Sequence, residues 1–387
     1  MLKTKLVSSP SEEKIWMQVP FLVYKNDPNW IPHLRQDIEK VFDPKKNKFY
    51  KEGAAQRWIL FENDIAIGRI AAFHWKKYSA GQDQPTGGIG FFECTPNAEA
   101  AQLLLHTACD WLKSEGMESV DGPINFGEKD AFWGLLVENF TSMNSYRMNY
   151  NPAYYRAFFE DYGFQLYYEQ WCYRRDLYVP AQDVFVRKTN ILMSEPGYTI
   201  TNARGKSDEQ LANDFVTIYN AAWAGFAGFK SMPLQQAKNI IKAMKPVMDR
   251  DIMVFVYHFG KPIAFYLNLP ELNEIFQHIY GNLNWWGKLK FLYYKTFAKR
   301  KTMVGIIFGV DRDYHGKGVE GAMIKWAGDH IVSLNKYEET ILTWIGDFNP
   351  KMLRVVENLG SEKYRTLITY RKHFDPNKPF ERYPLLS

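Results

Sequence analysis

Met303-Val304-Gly305-Ile306-Ile307-Phe308-Gly309-Val310, then Asp311-Arg312-Asp313 and the turn Tyr314-His315-Gly316-Lys317-Gly318-Val319-Glu320-Gly321, is the stretch whose reading decides the fold. The first eight residues are an unbroken apolar run and read as a buried strand. Gly316 and Gly318 let the backbone bend sharply ahead of an amphipathic helix through Met323, Ile324, Ala327 and Ile331. A helix opened in this way turns its first N–H groups toward one point, where an anion is stabilised. Strand, glycine turn and helix together predict an anion site at residues 314–321.

Downstream, Glu339 to Ile345 reads as a strand. Asn349 caps a helix holding Met352, Leu353, Val356 and Leu359, Gly360 ends it, and Ser361 to Arg371 forms a terminal strand. Upstream, helical spacing covers 208–224, and a second helix starts at Pro233. A hairpin then runs from Ile252 to Leu267 around Phe259-Gly260-Lys261. The first half repeats this plan: a hairpin at 58–73, a strand at 88–93, a long helix from Ala98 to Lys113, a short strand at 117–120, a helix opened by Asn151-Pro152, and a strand from Gln165 to Arg174. The ordered parallel argues for an internal duplication. Asp176 to Tyr198 holds Pro180 and Pro196 around a mixed polar and apolar segment and a new helical pattern starts from Ser207, so the predicted division is 1–180, a boundary segment at 181–206, and 207–387.

The composition suits two packed domains. Of 387 residues, 46% are hydrophobic and 16% aromatic, which excludes a disordered or fibrous chain. Forty-eight basic against 43 acidic side chains give a net charge of +5, a mild bias toward anionic ligands that does not favour nucleic acid. Cys94, Cys109 and Cys172 lack metal or disulfide spacing, so no metal site is expected and a reducing cytoplasm fits best. No apolar run reaches bilayer length.

The strand ending in Val310, the glycine turn, the long helix, the next strand and the Asn-headed helix ending in Leu-Gly resemble the GNAT superfamily of acyl-CoA-dependent N-acyltransferases. The resemblance covers 208–371 well, and residues 10–175 resemble a degenerate second copy. It implies two GNAT-like α/β domains, each a mixed, mostly antiparallel sheet flanked by helices, in a bacterial two-domain type of protein. It also implies acetyl-CoA or another acyl-CoA as co-substrate. Val310 matches the strand residue that pairs with the pantetheine arm, and His315, Gly316, Lys317, Gly318 and Val319 form the pyrophosphate turn. Asn349 matches an asparagine that contacts the pantetheine. Family members often place a Glu on the central strand and a Tyr in the last helix, but residues 303–310 hold no acid and Val355 and Val356 stand where the Tyr is expected. Asp311 and Asp347 are the catalytic candidates that remain nearby.

Glu320 departs from the pattern. A carboxylate at about 4 Å from a phosphate costs roughly 4 kcal/mol at an effective dielectric near 20, against about 0.3–1 kcal/mol gained from a helix N-terminus. Cofactor binding therefore requires Glu320 to face solvent or be offset by Lys317. The first-half counterpart, Glu93-Cys94-Thr95-Pro96-Asn97-Ala98, has no glycine, so that copy is not expected to bind coenzyme A in the usual way.

The sequence predicts an acyltransferase for a small-molecule or peptide amine. The alternatives are a decayed GNAT-fold protein binding a small ligand or protein partner, and aminoacyl-tRNA-dependent peptidyl transfer, which the modest charge disfavours. The aromatic, lysine-rich segment Trp285 to Lys301 is expected to form a helix docked on its own domain through Leu289, Leu292, Tyr293 and Phe297, with solvated lysines and no membrane contact.

Overall fold

The structure, a computed structural model, describes residues 1–180, 182–224 and 230–386. Ala181, the first residue of the predicted boundary segment, and Ser387, the last of the second domain, lie outside the described residues. The first half contains β1 (Leu2–Leu6), α1 (Pro10–Val23), α2 (Arg35–Val41), β2 (Gly53–Glu62), β3 (Ile65–Trp75), α3 (Lys76–Ser79), β4 (Thr86–Cys94), α4 (Ala98–Ser114), β5 (Ser119–Gly122), β6 (Leu135–Glu138), α5 (Tyr155–Asp161) and β7 (Gln165–Asp176). The second begins with α6 (Asp183–Ser194), β8 (Tyr198–Asn202), α7 (Asp208–Trp223), α8 (Leu234–Met244), β9 (Met253–His258), β10 (Lys261–Pro270), α9 (Asn273–Phe276) and α10 (Trp285–Phe297). It ends with β11 (Thr302–Val310), α11 (Val319–Ser333), β12 (Glu339–Gly346), α12 (Pro350–Asn358) and β13 (Glu362–His373). The predicted boundary at 181–206 is therefore no plain linker: it carries α6 and the edge strand β8.

All these strands join one sheet in the order β1-β2-β3-β4-β5-β13-β7-β12-β11-β10-β9-β8, with β6 also paired to β13. Each half gives its last strand to the other. β13 pairs antiparallel with β5 and β7, and β7 pairs antiparallel with β12. The sequence division near 180 separates two sets of elements but not two sheets. A buried charge pair fixes the exchange: Arg371 on β13 grips Asp121 on β5 through two bonds of 2.7 and 2.9 Å, with its guanidinium 3.7 Å from the Tyr167 ring centre on β7. Bidentate geometry makes this contact directional as well as strong.

Strand periodicity divides the core between the two faces. Trp58 and Leu60 pack with Leu104, Leu105, Tyr155 and Phe159 of α4 and α5, whereas the intervening Ile59 joins Trp16, Ile38 and Phe126 beneath α1 and α2. The second half repeats this, with Val254 and Val256 facing Met323 and Ile331 of α11, and Met253 and Phe255 facing Phe215 and Ile218 of α7.

Candidate active site

In each half two neighbouring parallel strands separate part-way along. β4 pairs with β5 only from Thr86↔Ser119 to Gly88↔Asp121, and β11 pairs with β12 only from Thr302↔Glu339 to Gly305↔Leu342. Near each parting the central strand carries an extra residue. Between Ala71↔Gly90 and Arg69↔Glu93 the β3–β4 register slips, with Phe91 at φ 51, and between Leu267↔Ile307 and Asn268↔Gly305 the β10–β11 register slips at Ile306. Such bulges re-aim the side chains that follow.

Beyond the first bulge lies Glu93. It is buried, and Tyr24 Oη stands 2.7 Å and Tyr155 Oη 3.0 Å from its Oε2 atom, with Arg69 Nη2 3.5 Å from Oε1. Tyr155 also accepts the backbone N–H of Cys94 at 2.7 Å, and Tyr154 donates to the Cys94 carbonyl at 2.9 Å. Helix α5 thus seals the end of β4 with two hydroxyls. Burial pushes the Glu93 carboxyl above its ordinary range, opposed by Arg69 and the tyrosine hydrogen bonds. Burial likewise raises the Tyr155 and Tyr24 phenols, each further disfavoured from ionising by Glu93. His33, edge-on to Phe132 at 4.9 Å, is pushed down to about 3 by burial, Arg69 and Arg147, and is neutral at physiological pH.

Glu93, Tyr155, Arg69 and His33 line a cleft of about 900 Å³ including its open mouth, walled by Met17, Phe21, Phe91 and Phe132 and lined on one side by Gly281 and Asn282 of the second half, with Tyr24 behind Glu93. Arg69 Nε, in its wall, is buried with no hydrogen-bond partner among the described residues. A desolvated carboxylate held from behind by Tyr24, the Tyr155 phenol, a neutral imidazole and an unpaired N–H donor at one cleft form a set able to move a proton and hold a polar headgroup.

The opening between β11 and β12 has the opposite chemistry. Met303, Phe308, Ile324, Leu342, Met352 and Val355 line about 640 Å³ including its mouth, and among the described residues no carboxylate or histidine lines it. By register after the bulge, Phe308 opposite Tyr266 occupies the place of Glu93 opposite Arg69. Counting four residues from each Asn-Pro asparagine, Leu353 stands where Tyr155 does.

The predicted turn has the expected backbone. Gly316 and Gly318 sit at φ 77 and 86, Gly318 caps α11, and Val319 is fully buried at its first turn. His315 and Lys317 are exposed, and His315 Nε2 lies 3.1 Å from the Val310 carbonyl, so that backbone acceptor already has a neighbour. A side chain at Gly321 would approach Phe185 of α6 at 3.1 Å, and one at Gly318 would meet Lys188 Cβ at 3.9 Å, so α6 flanks the turn. Asn349 caps α12, accepting from Met352 N at 3.2 Å. Asp311 is buried against Lys261 at 2.8 Å, and Asp347 is bonded to Arg382, so both candidate acids are held by cations. Five strand steps separate β11 from β4, about 24 Å at 4.8 Å per step; the turn and the Glu93 cluster are not one site.

Two long relatives match nearly end to end. The chain is 24% identical over 377 residues to a bacterial ceramide synthase of Caulobacter vibrioides, covering 95% of this chain and 96% of that protein. It is 25% identical over 375 residues to protein YghO of Escherichia coli, covering 93% and 92%. No protein-family model matches. Among solved structures, a tandem GNAT protein from the clavulanic acid biosynthesis pathway aligns over 98% of this chain and all of its own, with a TM-score of 0.55 at 9% identity. The chain has a tandem GNAT-like fold. Within this fold the acid and tyrosine absent from the second half stand in the first, as Glu93 on the central strand and Tyr155 in the helix after Asn151. The signal was present in the sequence, in Phe92-Glu93 and Tyr154-Tyr155.

Proposed function

We propose that the protein is an acyl-CoA-dependent N-acyltransferase acting on a long-chain amino alcohol, with its reaction centre in the first-half cleft. The observation that carries this reading is Glu93, a desolvated carboxylate hydrogen-bonded by two tyrosines at the bulge of a parted central strand. The ceramide synthase relative supports the acceptor class, since a ceramide is the amide of a fatty acid and a long-chain amino alcohol.

In this reading Glu93 accepts the proton of the incoming amine, and its raised affinity for a proton suits that task. Arg69 opposes the effect of burial on the Glu93 carboxyl, and its Nε–H, buried without a hydrogen-bond partner among the described residues, is the donor left for a hydroxyl of the amine. Tyr155, already bridging Glu93 and Cys94 N, is placed to return a proton to the leaving thiolate. The acyl-CoA supplies the activated carbonyl. Phe21, Phe91 and Phe132 exclude water from the cleft.

A second reading, with the donor held in the second half, is favoured by the left-handed Gly318 beside Lys188 and by the apolar β11–β12 opening. There His315, Gly316, Lys317, Gly318 and Val319 would hold the pyrophosphate and Val310 and Asn349 the pantetheine. Two variants separate the readings. With palmitoyl-CoA and sphinganine, thiol release is expected to fall about 10²–10⁴-fold in Glu93→Gln and little in Gly318→Val. Loss confined to Gly318→Val moves the chemistry to the second half; no thiol release from the wild-type chain with any long-chain amine overturns both.

A further inference from the structure

Helix α10 turns its apolar face outward. Trp285, Trp286, Leu292, Tyr293 and Phe297 are between 58% and 71% exposed, and Leu289 is 42% exposed. At 3.6 residues per turn these six side chains share one arc of about 140°. The helix docks by its other side. Gly287 is buried where a Cβ would lie 2.1 Å from the Asn282 carbonyl, Tyr294 stacks on His278 at 3.8 Å, and Phe291 lies 5.9 Å from Phe276. Such a continuous apolar face on a single helix is more than the scattered exposed residues of an ordinary surface.

Charge identifies what covers it. On the helical wheel Lys288 and Lys295 border one edge of the apolar arc and Lys290 the other, and Lys299, Arg300 and Lys301 follow the helix. Among the described residues Lys288, Lys290 and Lys299 form no ion pair, and α10 contains no acidic residue. Long lysine stems beside an apolar face carry their ammonium groups up to lipid headgroups, and tryptophans settle at the same depth. A second copy docked face to face would set these lysine edges against each other, a like-charge juxtaposition that opposes dimerisation.

We propose that α10 is a docking helix that lays its outer face into an anionic lipid surface, reversing the expectation that this segment makes no membrane contact. The loop entering it, Gly281 and Asn282, lines the Glu93 cleft and is tied to the first half by Arg35 N donating to the Gly281 carbonyl at 2.9 Å. Docking therefore sets that side of the cleft one helix away from the bilayer. This last step rests on the acyltransferase reading, because it makes the lipid layer the source of the long-chain amine.

The test is sedimentation of the full chain with phosphatidylcholine vesicles, with and without phosphatidylglycerol. Binding is expected to vesicles containing phosphatidylglycerol, to weaken with salt, and to fall at least about tenfold in Leu292→Glu/Phe297→Glu, an exposed pair whose replacement leaves the melting temperature unchanged. A wild-type chain that stays in the supernatant with both vesicles overturns the proposal. So does a double variant that binds like the wild type, or a wild-type dimer that the variant dissolves. Vesicle binding is read without substrate, so its failure leaves the acyltransferase reading standing. Failed acyl transfer likewise leaves the vesicle result intact.

Discussion

Replacing Glu93 with Gln tests the electrostatics of the cleft without changing its shape. Arg69 is only 3% exposed, and its charge is offset by Glu93 at 3.5 Å, the Trp16 carbonyl at 3.3 Å and the Trp16 ring at 4.2 Å. Removing the carboxylate charge strands a buried guanidinium, a change that typically costs about 3–5 kcal/mol. Trp16 remains, and a desolvated cation–π contact contributes about 2 kcal/mol, so a loss near the lower limit, about 3 kcal/mol, is expected in urea unfolding at pH 7.5. The opposite substitution, Arg69→Met, leaves a buried carboxyl whose proton affinity is already raised. For such an acid the native state binds the proton more tightly than the unfolded chain, so its stability contribution is intact below the unfolded value and is lost as pH rises through the folded one. Arg69→Met is therefore expected to destabilise more at pH 8 than at pH 5, and Arg69→Met/Glu93→Gln to recover part of both losses. Equal stability of Glu93→Gln and wild type, with a pH-independent Arg69→Met, would refute the coupled, desolvated pair on which the proposed base depends.

Three further outcomes follow from other parts of the structure. Glu271 is 1% exposed and accepts backbone N–H bonds from Tyr146 and Asn273, yet burial pushes its pKa up to about 7. Deprotonation then costs the native state about 3 kcal/mol by pH 8, so Glu271→Gln is expected to raise the melting temperature at pH 8 and not at pH 4; a pH-independent effect would contradict this. Tyr155→Phe leaves the Cys94 N–H without its partner and Glu93 Oε2 with Tyr24 alone, and is expected to cost about 1–3 kcal/mol in urea unfolding and to lower kcat more than KM. Undiminished turnover would remove Tyr155 from the proton path. Finally, because β7 and β13 cross between the halves, a chain cut at a protease site inserted after Pro180 is expected to elute from gel filtration as one species; separate halves would deny the exchange.

The repeated hairpins, helices and Asn-Pro starts were legible because each is a local pattern: Trp58 to Phe73 and Ile252 to Leu267 announce themselves by apolar runs around a turn. The exchange of β7 and β13 was not, since both strands alternate in the same way and nothing in alternation says which neighbour a strand takes. What selects it is the Asp121–Arg371 pair, 250 residues apart in sequence. The glycine turn was also local, and its positive φ angles at Gly316 and Gly318 are what glycine permits. The Glu93 cluster joins Tyr24 at the end of α1, Arg69 on β3, Glu93 on β4 and Tyr155 on α5, and no local pattern marks it, because the two tyrosines stand 69 and 62 residues from Glu93. The duplication separates these features, glycines in one half and acid with tyrosine in the other.

Helix α10 shows the same limit from another side. Its spacing correctly grouped Leu289, Leu292, Tyr293 and Phe297 on one face, but periodicity defines a face without saying what covers it. The informative residue was Gly287, which lies on the opposite side and is the only residue of the helix classed as buried. A helix approaches its own domain most closely where it has no side chain, so the position of that glycine relative to the apolar arc determines which side docks. Here it turns six large apolar side chains away from the protein, which makes the lysines at their borders part of a recognition surface rather than a solvated face.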